Sequence, residues 1–294
     1  MPSSPKHGSP PPLAKANSPF DPPGRHAPPP YRLMSNSDLF GHIHDPVALA
    51  IERLREFDPS KKGDKIFWLA DSFGKDSCCV LRLLQMSGVP FEAHHNFTGL
   101  DAPELIRFGR EHHSETQIDR GPLSYFQLVA RKGYSTRHSR WCCDALKEHG
   151  GAGRFVVTGV RRAESACRSG RKMVDHNAPK RKRLLNPIVD WTDADVWAFI
   201  RDEKVPYCCL YDEGFTRLGC IACPMAGSDQ RKMELTRWPK FRPAFLLAFS
   251  RLIADRRSKG KWNDRQWPDA HHLLAWWLSN APAATKAQEW FDFD

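Results

Sequence analysis

The feature that most constrains this chain is an alternation of short apolar runs with helix-patterned segments. Lys65–Ala70 (KIFWLA) has strand length and composition, and the segment SCCVLRLLQMSG that follows has helical spacing and stops at Gly88. Phe91–Asn96 (FEAHHN) reads as a second strand, and Ala102–His113 (APELIRFGREHH) as a helix opened by Pro103. Arg154–Val160 (RFVVTGV) is a further strand, and WTDADVWAFIRDE a helix whose Thr192 and Asp195 form a capping-box pattern. Upstream, Asp45–Phe57 carries Val47, Ala50, Ile51 and Leu54 near one helical face. Strands alternating with helices predict a parallel sheet covered on both faces. Ligands of such sheets sit beyond the carboxyl ends of the strands, so the loops after Ala70, Asn96 and Val160 are expected to gather the site.

Those three loops carry suitable chemistry. Ser72–Ser77 (SFGKDS) joins a strand to a helix through a turn with Gly and Lys, an arrangement that offers backbone N–H groups to phosphate. It is not a Walker A loop, because the G-x-x-x-x-G-K-[ST] spacing is absent. Taken alone it could equally be an ordinary connection. Asn96–Leu105 (NFTGLDAPEL) adds Thr98 and Asp101, and Thr158–Ser165 (TGVRRAES) adds Gly159 and the adjacent pair Arg161 and Arg162. Two arginines beside a core are costly unless something anionic pairs with them, and their forked donors suit phosphate or sulfate oxygens.

The formal charge of +10 is concentrated. Between Arg137 and Arg183 thirteen Lys and Arg face four acidic residues, leaving +9 in that stretch. Such a segment, with Lys180–Arg183 (KRKR) in it, suits a polyanion, nucleotide or nucleic acid, better than a plain solvated face. No apolar run approaches a membrane span and the N-terminus has no secretory pattern, so a cytoplasmic location without membrane partners is expected. Residues 1–36 hold eleven prolines among Ser, Lys, His and Gly, a composition expected to stay disordered. The folded domain is expected over residues 37–230. The region 231–294, with WPKFRPAFLLAFSRLIADRR and DAHHLLAWWLSN, is expected to form a helical subdomain. Its tryptophans, and the histidine pairs His94-His95 and His271-His272, read as structural rather than ligand-binding.

Nine cysteines without an export signal argue against disulfides. Most fall in pairs: Cys78-Cys79, Cys142-Cys143, Cys208-Cys209, and Cys220-Ile-Ala-Cys223 between Gly219 and Pro224. A C-x-x-C alone serves zinc, a redox dithiol or an iron–sulfur centre. His113-Ser-Glu115 with the later C-x-x-C superficially matches a zinc-deaminase pattern, but more than a hundred residues separate them and no Pro precedes Cys220.

SFGKDS, TGVRRAES and Asn186–Trp197 (NPIVDWTDADVW) occur in the order seen in the phosphoadenylyl-sulfate reductase family, within the PP-loop ATP-pyrophosphatase superfamily, and the chain resembles that family over roughly residues 60–230. The similarity extends to Pro206–Gly227 (PYCCLYDEGFTRLGCIACPMAG), which looks like stretches in reductase-like proteins of phages and mobile elements. The family loop usually reads S-G-G-x-D-S, and Phe73 stands here in place of one Gly. The resemblance implies a three-layer α/β domain of the adenine-nucleotide α-hydrolase-like type with a helical extension. It implies that Ser72, Phe73, Gly74, Lys75, Asp76 and Ser77, with Thr98, Asp101 and Gly159, cradle ATP and Mg²⁺. It further implies that Lys75, Asp76, Arg161 and Arg162 act on the phosphates.

The family's assimilatory adenylyl-sulfate reductases hold a [4Fe–4S] cluster on a tandem Cys-Cys plus a later C-x-x-C, which maps here onto Cys142, Cys143, Cys220 and Cys223, with Cys208 and Cys209 as a rival pair. Sulfate reduction in the family also uses a thiolate near the C-terminus, and no cysteine follows Cys223 in this sequence; Cys167 is a weak substitute. The expectation is therefore ATP-dependent sulfur transfer, by adenylylation and release of pyrophosphate, toward nucleic acid. Its implied partners are DNA or RNA, as in DNA-phosphorothioation sulfur transferases, and a cysteine desulfurase as sulfur donor; a homodimer is left open. Reduction of an adenylyl sulfate by an external thiol, and a non-catalytic binding module, are the alternatives.

Overall fold

A computed structural model of the protein describes residues 36–37 and 43–279; residues 1–35, nearly all of the expected tail, and 280–294, the end of the helical region, lie outside the described residues. A two-stranded ribbon pairs β1 (Asn36–Ser37) with β2 (Ile43–His44) in antiparallel register. The main sheet contains β3 (Phe67–Ala70), β4 (Phe91–Phe97), β5 (Thr116–Arg120), β6 (Phe155–Val157), β7 (Val174–Asn177) and β8 (Lys182–Leu185) in the order β5-β4-β3-β6-β8-β7. All neighbours are parallel except the β7–β8 hairpin at one edge.

The order reverses between β3 and β6, which lie side by side: the chain builds outward through β4 and β5, then returns to the other flank of β3. A crevice opens at such a switch point, outside the carboxyl ends of the strands. The apolar runs pair as expected, with Phe67 and Leu69 wholly buried. The three additional strands were not visible as apolar runs. Thr116–Arg120 is half polar, and the KRKR cluster itself runs into β8, whose Leu184 and Leu185 register with Val156 and Val157.

Eight helices surround the sheet among the described residues: α1 (Pro46–Glu56), α2 (Lys75–Ser87), α3 (Pro103–His112), α4 (Tyr125–Lys132), α5 (Asp193–Asp202), α6 (Ser228–Arg237), α7 (Phe241–Ser258) and α8 (Ala270–Ser279). Local chemistry explains their limits. Asp45 accepts from the N–H groups of Val47 and Ala48 at the start of α1, and Thr192 with Asp195 closes the anticipated capping box of α5. Gly88 ends α2 in the left-handed conformation.

The C-terminal helices share the domain's core rather than building a separate one. Phe245 and Phe249 of α7 pack on Trp277 of α8, and Phe245 also meets Tyr125 of α4. The Trp277 indole donates to the Ser135 carbonyl at 2.7 Å, and Trp238, Trp267 and Trp277 are buried as the structural reading of these tryptophans requires. No helix among the described residues is long and apolar enough to cross a membrane.

Candidate functional site

A cavity of about 660 Å³ opens at the switch point. The loop after β3, the start of α2, the loop after β6, the Cys142–Lys147 segment and the Cys220–Cys223 loop all line it.

Helix α2 begins at Gly74, which has no side chain to cap it, and its first turn lines the cavity; the Gly74 N–H itself makes a long bond to Ser72 Oγ at 3.4 Å. The Lys75 N–H instead donates to the Tyr211 hydroxyl at 2.9 Å. Ser77 Oγ donates to the Gly74 carbonyl at 2.9 Å and lies 3.2 Å from Ser72 Oγ, tightening the turn. Gly159 lets the loop after β6 approach α2: a Cβ there would stand 2.9 Å from the Asp76 carbonyl carbon.

Phe73 departs from its expected role. Its side chain is 0% exposed and does not line the cavity. The backbone is left-handed, with φ of 60°, the conformation for which the family pattern supplies a glycine. Packing holds it there. The ring stacks on His95 at 4.1 Å, meets His113 edge-on and presses on Gly109 of α3. Its N–H donates to Asp71 Oδ1 at 2.9 Å, while Asp71 Oδ2 accepts from Thr116 Oγ1 at 2.8 Å and contacts His113 Nδ1 at 2.6 Å. Burial alone would raise the Asp71 pKa; the His113 hydrogen bond and charge, with the Phe73 and Thr116 donors, outweigh it and hold the carboxyl below its ordinary range. Asp71, His113 and Thr116 thus brace the loop from beneath; neither Asp71 nor Thr116 stands out in the sequence, and His113, noted there only in the H-x-E pattern, serves this carboxylate.

The two arginines separate. Arg161 is 1% exposed and lines the cavity; its Nε donates to Asp76 Oδ1 at 2.6 Å, one Nη to Asp193 Oδ1 at 2.9 Å and the other to the Trp191 carbonyl at 3.3 Å. Arg162 turns away. It pairs with Asp190, donates to the Arg171 carbonyl at 2.8 Å and does not line the cavity; Arg161 is extended while Arg162 opens a 3₁₀ turn, and the expected double fork does not form. Lys75 Nζ lies 3.2 Å from Asp193 and 3.4 Å from Asp76.

Thr98 lines the cavity, but Asp101 does not: its carboxylate accepts from both the Thr98 N–H and hydroxyl at 2.8 Å, holding the turn. Asp101 also bridges in antiparallel fashion to Cys220, and the Ile221 N–H donates to the Leu100 carbonyl at 2.7 Å. The C-x-x-C loop is thereby hung on the nucleotide-side loop.

Cys142, Cys143, Cys220 and Cys223 all line this one cavity, and all are free thiols. Cys143 opens a π-helical turn, Cys143–Lys147, and Arg140 donates to its sulfur at 3.6 Å. Hydrogen bonding from Cys142, followed by the Arg140 bond and charge, lowers the Cys143 pKa. Lys147 is held charged chiefly by Cys220, with Asp101 and Cys223. The rival pair falls outside the cavity lining: Cys208 is in the core and Cys209 on the surface, as is Cys167. The bond to Cys143 and then burial push the Cys142 thiol up, and burial pushes Cys220 up against the charge of Lys147. The donor set fits an iron–sulfur cluster in its chemistry, four thiols lining one cavity beside Arg140 and Lys147. It does not converge as a single-ion site, since among the described residues no three His, Cys, Asp or Glu side chains are grouped to hold one metal ion.

The KRKR cluster is largely consumed by the fold. Lys180 pairs with Asp144 and Glu148, Lys182 is buried against the Glu148 carbonyl at 2.6 Å, and Arg183 pairs with Asp64. Besides Lys75 and Arg161, the cations that line the cavity are Arg140, Lys147, Arg168 and Arg217, of which Arg168 loses affinity for its proton mainly through burial and then the charge of Arg217. Arg217 lies in GFTRLGC, three residues before Cys220, a proximity that the sequence displays but that total charge hides.

A doubly wound sheet with an uncapped helix start, buried Lys and Arg, and a thiol-lined wall at its switch point defines a PP-loop type nucleotide-binding domain. The chain belongs to the phosphoadenosine phosphosulfate reductase domain family, whose model matches residues 66–226. It is 28% identical over 207 residues to an adenosine 5′-phosphosulfate reductase of Allochromatium vinosum, an alignment covering 65% of this chain and 79% of that protein. It is 26% identical over 234 residues to an uncharacterized protein of Methanocaldococcus jannaschii, covering 74% of this chain but only 45% of the archaeal protein. The chain therefore spans less than half the length of that relative. A phosphoadenylyl-sulfate reductase from Candida auris, solved as a phosphate complex, aligns with a TM-score of 0.44 at 18% identity over 59% of this chain and 93% of that one.

Proposed function

We propose that this protein is an ATP-dependent sulfur transferase that adenylylates its acceptor, with nucleic acid as the acceptor. The observation that carries this reading is the one cavity lined both by the start of α2 with Lys75 and by Cys142, Cys143, Cys220 and Cys223. Nucleotide activation and sulfur chemistry need both sets of groups to reach one reacting group.

In the first step an acceptor oxygen attacks the α-phosphorus of ATP, and the bond to the bridging oxygen breaks with release of pyrophosphate. In the second, a sulfur nucleophile from a donor such as a cysteine desulfurase displaces AMP from the activated position. Lys75 Nζ, with the first turn of α2 behind it, would bind the departing phosphates, which Mg²⁺ would accompany, and stabilise the charge that develops on them. Arg161 acts from behind, fixing Asp76 and adding positive potential. Cys142, Cys143, Cys220 and Cys223 would hold a [4Fe–4S] cluster, which when bound supplies iron sites with affinity for sulfide. Arg140, Arg168 and Arg217 would steer a phosphate backbone toward the opening, in place of the KRKR cluster.

A second reading, reduction of an adenylyl sulfate by an external thiol, is favoured by the similarity to the Allochromatium vinosum reductase. Anaerobic incubation separates the two. Pyrophosphate and AMP formed from ATP and Mg²⁺, with stimulation by DNA or RNA, are the expected result. Sulfite from adenylyl sulfate plus thiol, without pyrophosphate from ATP, would replace the transferase with the reductase.

A further inference from the structure

The phosphate end of the cavity contains an anion of its own. Lys75, Arg161, Asp76 and Asp193 form a compact group of two cations and two carboxylates, electrically neutral as it stands. Three members are enclosed: the side chains of Lys75, Arg161 and Asp76 are 8%, 2% and 22% exposed. Asp193 is the outlier, 66% exposed, yet a single oxygen of it reaches both Lys75 Nζ at 3.2 Å and an Arg161 Nη at 2.9 Å. It occupies the first helical position of α5, beside the Thr192–Asp195 capping box, which holds the helix start without it. The same corner has a second internal occupant, since the Tyr211 hydroxyl takes the Lys75 N–H that an uncapped helix start would offer a ligand.

We propose that Asp193 is a built-in occupant of the phosphate subsite, a carboxylate that neutralises Lys75 and Arg161 until an incoming phosphate displaces it toward solvent. The proposal rests on reading this corner as a phosphate subsite. The asymmetry of exposure is the reason that Asp193, not Asp76, yields. Asp76 is held by Arg161 Nε at 2.6 Å and moving it would strand a buried guanidinium, whereas Asp193 already faces water and loses little hydration by swinging out. With Asp193 in place the group is neutral and offers a further anion no net attraction. With it displaced, two buried cations face one carboxylate, and the net charge of +1 meets the ligand in a low-dielectric corner. The consequence is selectivity for polyphosphates, whose charge competes with a carboxylate, over weak monoanions.

Titration of inorganic pyrophosphate into the full chain at low ionic strength tests this, using wild type, Asp193→Asn and Asp202→Asn. Asp202 ends the same helix, about 13 Å along its axis, and controls for general loss of charge. Asp193→Asn is expected to bind pyrophosphate about tenfold more tightly than wild type, and Asp202→Asn within about twofold of it. Asp193→Ser, which keeps a polar helix start, repeats the test should the Asn variant fold poorly. Unchanged or weaker binding in both Asp193 variants, or binding in none of the proteins, overturns the proposal. Pyrophosphate release from ATP is measured on the same preparations. Tighter binding without any release would retain the occupant and reject the adenylylation, and release without tighter binding would do the reverse.

Discussion

Gly109→Ala is the substitution through which the packing beneath the nucleotide loop can be weighed. In an ordinary helix interior, Ala for Gly stabilises by about 1 kcal/mol. At position 109 of α3 the added Cβ would lie 2.3, 2.4 and 2.6 Å from three carbons of the Phe73 ring. Carbon atoms prefer separations of roughly 3.5–4.0 Å, so the overlap exceeds 1 Å. A free side chain would swing aside, but this ring is pinned by the stack on His95 and the edge of His113, on a left-handed backbone tied to Asp71. Overpacking of this kind costs about 1–3 kcal/mol, and the depth of overlap argues for the upper end. Subtracting the propensity gain leaves a net destabilisation of about 2 kcal/mol, or a melting temperature lower by about 4–8 °C for a chain of this size. Thermal and urea denaturation measure it. In a Phe73→Ala background the obstruction is gone and Gly109→Ala should become neutral or stabilising, a coupling of about 2–3 kcal/mol. Equal cost in both backgrounds, or a more stable Gly109→Ala, would refute the claim that Phe73 is clamped.

The remaining predictions concern the network, the thiols and the basic hairpin. Because the Asp71 pKa is lowered by folding, its ionised form contributes stability that is present above the ordinary value of 3.8 and lost as pH falls through its folded value. Unfolding free energies between about pH 5 and 2 should therefore fall more steeply for wild type than for Asp71→Asn, and parallel curves would contradict the pairing with His113. After anaerobic reconstitution with iron and sulfide, Cys220→Ser should lose bound iron and visible absorption relative to wild type; an unaltered spectrum would exclude the ligand set. Lys182→Ala should destabilise by about 1–2 kcal/mol, whereas Arg181→Ala should stay within about 0.5 kcal/mol in the same melts, since Lys182 is buried on the Glu148 carbonyl and Arg181 is exposed.

Much of this protein could be read from its residues in order. The β3–α2 and β6 units, the Thr192–Asp195 box and the Gly88 stop follow from local patterns, because strand length, helical period and capping are properties of neighbours in sequence; the grouping of Cys142-Cys143 with the C-x-x-C came only from the family resemblance. Strands β5, β7 and β8 escaped because they are short or charged, and only pairing with β4 and β6 makes them strands.

The division of labour among site residues was likewise a tertiary decision. Arg161 and Arg162 are indistinguishable as letters, yet one is buried against Asp76 and Asp193 and the other pairs outside with Asp190. Phe73 looked like a tolerated member of the phosphate loop and is instead its foundation, because the space beside Gly109 and the faces of His95 and His113 exist only once α3, β4 and β5 are assembled. The sequence alone determined which groups this chain owns and which of them share a turn or a strand end. Which charges meet, and so which remain able to hold a ligand, depended on contacts between residues such as Asp76 and Arg161, 85 positions apart, whose energies no local pattern encodes.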